Sequence, residues 1–120
     1  MNTEPPCYKR RVGVNSNPVP LDSLRLETNP NSFLLLPYHH LELVTFEAGE
    51  EDTLTLSFLH RTITITGKNL RDLGLALQDR CVEFVKPLPA LDKYSSVVKN
   101  ECSVKAIEIE DKKERANSNF

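Results

Sequence analysis

The absences in this sequence narrow its chemistry before anything present in it does. The glycines stand at 13, 49, 67 and 74 and form neither GxGxxG nor a GKS/T phosphate loop. Gly67-Lys68 lies between a strand-like and a helix-like run, where a phosphate loop would stand. The upstream glycine is missing, however, and Asn69 replaces the Ser or Thr that would meet a metal-bound phosphate. The three cysteines, Cys7, Cys81 and Cys102, are odd in number and far apart. With no CxxC pair, they argue against a zinc knuckle and against a disulfide framework. No apolar stretch approaches the roughly 18 residues of a membrane span. The longest, Phe33–Leu36, is stopped by Pro37. The opening Met-Asn-Thr-Glu-Pro-Pro lacks a basic start and an apolar run, so no secretory leader is read and a cytoplasmic setting is expected.

Charge of one sign is also missing. Fifteen Lys and Arg stand against 17 Asp and Glu, a formal net charge of −2. This balance does not suggest the clustered positive field that binds phosphates non-specifically. No serine sits in a nucleophile elbow, and no pattern ties a histidine to one. The expectation is a non-enzymatic chain with no cofactor.

The 120 residues suit one domain able to bury about two-thirds of its unfolded surface. Residues 1–32 read as a Pro- and Asn-rich N-terminal arm, which Leu21, Leu24 or Leu26 could tack onto the body. Residues 33–110 read as the globular domain, and the charged 111–120 as a disordered tail. Within the domain, Phe33–Leu36 has the character of a buried strand. Tyr38–Phe46 and Thr53–Leu59 read as a hairpin around Gly49. Leu54, Leu56 and Phe58 alternate with hydroxyl residues, as in a half-buried strand. In Thr62–Thr66 the apolar residues move to odd positions, so the chain must bend, bulge or turn at Leu59–Arg61.

One amphipathic helix is predicted over about 69–81. Asn69 caps it, Asp72 meets its dipole, and Leu70, Leu73, Leu77 and Cys81 form its apolar stripe. Gly74 lies on that stripe and allows close approach to the sheet. Val82–Lys86 and Cys102–Glu110 read as later strands, the second with Ile107 and Ile109 inward. The fold class is therefore α+β: a mainly antiparallel sheet, or a small bent-strand barrel, with one helix packed on it.

Three sets of residues stand out as candidate sites. Leu75 and Val82 lie about 120–140° from the centre of the helix's apolar stripe, so they are candidates for an interface. Either the proline-rich arm covers them or another subunit does. Tyr8-Lys9-Arg10-Arg11 is the only string that joins an aromatic to several basic residues, a candidate nucleic-acid contact. His39, His40 and His60 fall at hairpin ends. If facing positions sum to 99, His39 meets His60; if they sum to 100, His40 does. Either pair is a candidate for metal or for a pH response.

These readings point first to a small interaction module with a protein partner, itself or another. The second reading is an RNA- or DNA-binding small barrel using the basic arm. The third is a metal- or anion-binding protein at the histidine pair or the helix start. No membrane contact is expected.

Overall fold

Strand alternation decides most of the architecture. In the computed structural model, which describes residues 7–29, 31–87 and 102–112, the chain runs β1 (Tyr8–Arg10), β2 (Ser23–Asn29), β3 (Ser32–Pro37), β4 (Leu41–Glu47), β5 (Asp52–Phe58), β6 (Arg61–Lys68), α1 (Arg71–Gln78), β7 (Val82–Val85) and β8 (Ser103–Asp111). Two four-stranded sheets result, in the orders β1-β7-β2-β3 and β4-β5-β6-β8. Every pairing is antiparallel except that of β2 with β7, so the α+β class holds.

The second sheet follows the alternation read from its sequence. Leu54 and Leu56 pair with Ile65 and Ile63, and all four are fully buried. The change of parity between β5 and β6 is a hairpin turn at Leu59-His60. Both registers inferred for the β4–β5 hairpin occur in it. Leu41 faces Phe58, then a bulge at Glu42 shifts the ladder so that Val44 faces Leu56 and Phe46 faces Leu54. A bulge inserts one residue in one strand and so moves the facing sum by one. On β8, Val104 is buried, while Ile107 and Ile109 pack half-buried against the core.

The first sheet departs from the sequence reading. The stretch read as an arm contains β1 and β2, and Leu24 and Leu26 of β2 are wholly buried in the core. The prolines explain the misreading. Pro18 and Pro20 precede β2 and Pro30 follows it, so they bracket a strand instead of interrupting one. Phe33–Leu36 is likewise not a buried strand. β3 is a sheet edge, Leu36 faces the core, and Phe33 and Leu35 are 59% and 58% exposed. Of the tail read as 111–120, Asp111 ends β8 and the Lys112 amide donates to the His60 carbonyl at 2.9 Å. The remainder lies outside the described residues.

The two sheets do not close into a hydrogen-bonded barrel. On one side the chain itself joins them, passing from β3 to β4 through a single turn at Tyr38–His40. On the other side the edge strands β1 and β8 are stapled by a disulfide between Cys7 and Cys102. This corrects the expectation drawn from cysteine spacing. A separation of 95 residues says nothing about distance once the fold brings two sheet edges together. Cys81 is the free thiol, buried beside the helix as a small hydrophobe, with Sγ 3.6 Å from the Ala76 carbonyl.

Tyr38 buttresses the joined side. Its hydroxyl donates to the Val82 carbonyl at 2.7 Å, linking the β3–β4 corner to β7. Burial pushes its phenol far above the usual tyrosine range.

Candidate binding groove

α1 packs against β4, β5 and β7. Leu73, Leu77 and Leu70 are fully buried, and Gly74 brings the helix close. A Cβ at Gly74 would come within 2.9 Å of a Leu54 methyl. The helix is shorter than expected at both ends. The N-cap position falls on Leu70, one residue beyond Asn69, which takes a left-handed conformation with φ 59°. The Leu70 amide donates to Asp52 Oδ2 at 3.1 Å. A protein carboxylate therefore occupies the place suggested for a bound anion. At the other end Arg80, with φ 57°, takes the left-handed turn that stops the helix.

That stop decides the fate of the two interface candidates. Extended past Arg80, the helical wheel places Val82 on the outer flank, but Val82 belongs to β7 and is completely buried. Val82 is thus a core residue. Leu75 stays on the helix and is 47% exposed. The arm does not cover it, because Leu24 and Leu26 point into the core between the sheets.

Leu75 forms one wall of an open groove of about 570 Å³. The opposite wall is β4, through Leu41, Leu43, Val44 and Phe46. β4 has a strand neighbour on one side only, so the backbone groups along its other side have no ladder partner among the described strands. The bulge at Glu42 sends Leu43 to the solvent side, where it is 60% exposed. Leaving about half of a leucine in water forgoes roughly 1 kcal/mol of burial. Two such leucines flank this groove. Its polar lining is Arg71, Gln78 and Arg80 from the helix segment and Glu42 from the bulge.

The histidines come together where the β3–β4 corner meets the β5–β6 turn. His40 and His60 approach edge-on with ring centroids 6.1 Å apart, and His39 also meets His40 edge to face, at 4.5 Å. The Leu59 amide donates to the His40 carbonyl at 2.9 Å, which fixes this corner. Among the described residues, no three His, Cys, Asp or Glu side chains gather in a metal-holding group.

The basic string is divided by its strand. Tyr8 turns inward, and burial, together with the carboxylate of Asp72, raises its phenol pKa. Lys9 falls opposite Phe84 on the outer face of the sheet. A register shift follows, and Arg10 pairs with Val82. Arg11 donates from Nε to Glu83 at 2.9 Å. The sequence could not show that Lys9 would meet Phe84, because β2 to β6 and α1 lie between β1 and β7 in the chain.

Among the described residues, no helix is long and apolar enough to cross a membrane. Comparison of the chain with protein families, with curated proteins and with solved structures finds no match.

Proposed function

We propose that this chain is a non-enzymatic interaction module whose groove receives the β4 strand of a second copy. The observation that carries the reading is the open edge of β4 beside an apolar helix flank, with Leu43 and Leu75 exposed on its two walls. A free strand edge offers main-chain donors and acceptors in register. A helix alongside it gives alternate side chains of an added strand a surface to pack on. The opposite edge of the same sheet is blunted by Lys105, Glu108, Glu110 and Asp111 on β8, a device that discourages pairing.

Charge favours a second copy as the occupant. β4 carries Glu42 and Glu47, and the groove presents Arg71 and Arg80. Antiparallel pairing around a two-fold axis at Thr45 sets Val44 against Phe46 of the other copy, on the face toward the helices. A cytoplasmic setting belongs to the same proposal, and it would require the Cys7–Cys102 pair to be reduced there, because thiols are kept reduced in the cytosol.

Light scattering across a concentration series tests the association. The expected result is a wild-type dimer, with Leu75→Glu giving a folded monomer of unchanged circular dichroism. A wild-type chain that stays monomeric at every concentration sinks the reading.

A further inference from the structure

We propose that the outer face of the first sheet binds single-stranded nucleic acid, with bases stacking on Phe33 and on the Arg25–Phe84 pair, and phosphates meeting Lys9 and Lys86. This site is separate from the groove and does not depend on it. The strand registers carry the argument. Lys9 pairs with Phe84, Phe84 with Arg25, and Arg25 with Leu35, so one row across all four strands reads cation, aromatic, cation, aliphatic. The Arg25 guanidinium lies 5.2 Å from the Phe84 ring centroid, and Lys86 Nζ lies 5.9 Å from it. One strand further out, Phe33 is 59% exposed.

A sheet face turned only to water has no need of such residues. Apart from Leu43 at the bulge, the outer face of the second sheet shows the ordinary solution, with Thr45, Thr55 and Thr64 in register across β4, β5 and β6. On the first sheet, Glu27 and Glu83 are each engaged, by Arg25 at 2.8 Å and Arg11 at 2.9 Å. Lys9 and Lys86 make no ion pair among the described residues. An apolar protein surface docked here would desolvate these cations without pairing them. A second copy docked face to face would set like charges together. A flexible polyanion with flat bases satisfies both features at once. Its phosphates pair with the lysines, and its bases stack on an aromatic ring or a guanidinium plane.

The test is fluorescence anisotropy of the full chain with labelled oligonucleotides of about 12 residues, poly-U RNA and poly-dT DNA, against a duplex of equal length. The expected result is binding to single strands that weakens as salt rises, with duplex bound less tightly because its base faces are hidden. Phe33→Ala, at an exposed position that leaves the fold intact, lowers affinity about tenfold. Lys9→Glu and Lys86→Glu each reduce the salt slope by about 0.7. Leu75→Glu leaves binding unchanged, which separates this site from the groove. No binding at low salt up to about 0.1 mM protein overturns the proposal. So does a duplex bound as tightly as a single strand, or an affinity indifferent to Phe33→Ala. Self-association abolished by Phe33→Ala, with no oligonucleotide bound, would give this face to protein contact instead.

Discussion

The two sheets share one core but are built in different ways. Three of the four strands in the second sheet are consecutive, joined by hairpins, and only β8 arrives from far along the chain. In the first sheet β2–β3 is the one pairing between strands successive in sequence, while β7 enters beside β2 in parallel and β1 pairs with β7. Their charges differ as well. Residues 7–37 and 82–87 carry five basic and three acidic side chains, whereas 41–68 and 102–112 carry four basic and eight acidic. An overall charge of −2 therefore hides a basic sheet facing away from an acidic one. Near-neutral net charge describes a sum, and binding responds to the local field.

The contrast is open to attack. Its largest test is the Cys7–Cys102 bond, which holds the long-range sheet to the local one. Closing a loop of this length stabilises a chain by about 4 kcal/mol through the unfolded state. Cys7→Ala with Cys102→Ala should lower the urea midpoint accordingly, and β1 should lose hydrogen-exchange protection before β5 or β6 does. Uniform loss across both sheets would erase the distinction.

Next comes Gly67→Ala, on β6 where it meets β8, the one distant strand of the second sheet. An alanine Cβ there would collide with the Ser103 carbonyl on β8. A clash with backbone cannot be relieved by a rotamer, so a cost of about 3 kcal/mol is expected by denaturant titration. A variant within 1 kcal/mol of wild type would mean that β8 is not held closely against β6.

Alkaline pH should act on the first sheet and on the corner that joins it to the second. Tyr8 and Tyr38 have raised pKa values in the fold, Tyr38 chiefly through burial. The unfolded chain loses these protons near pH 10 while the folded chain keeps them. Stability is therefore level below pH 10 and falls above it, by about 1.4 kcal/mol per pH unit for a tyrosine held fully neutral. Tyr38→Phe should flatten that slope while costing roughly 1–2 kcal/mol for the unpaired Val82 carbonyl. A thermal midpoint as high at about pH 11 as at about pH 9 would contradict this sign.

The smallest effect belongs to the helix end between the two sheets. Arg80→Gly removes a left-handed non-glycine residue and should stabilise by about 1 kcal/mol in a melting scan. Destabilisation would show that the Arg80 side chain contributes more than its backbone costs.

The sequence was legible where contacts are local. Leu54, Leu56 and Phe58, then Ile63 and Ile65, mark two strands with a bend, bulge or turn between them, since their alternation and its change of parity require only neighbouring residues; the structure makes that break a hairpin. The helix stripe of Leu70, Leu73 and Leu77 was equally plain. β2 carried the same signal, with Leu24 and Leu26 alternating with Ser23, Arg25 and Glu27, but the surrounding prolines outweighed it. The groove was half legible. Leu75 stood out as an aliphatic residue on a polar flank, but Val82 was misplaced because nothing in the sequence marks Arg80 as a left-handed stop. The row of Lys9, Phe84, Arg25 and Leu35 was beyond reach, since it exists only once three distant segments have met.

The parallel pairing of β2 with β7 also imposes an order in time. When Arg25 is to meet Phe84, the whole of β3, β4, β5, β6 and α1 lies between them. An unstructured connection of that length makes the encounter slow, because loop closure is charged before any contact rewards it. Once the β4–β5–β6 hairpins have collapsed, the intervening chain becomes a short rigid bridge. The β4–β5–β6 hairpins are therefore expected to form first, and the basic sheet, with its exposed aromatic face, to be completed later.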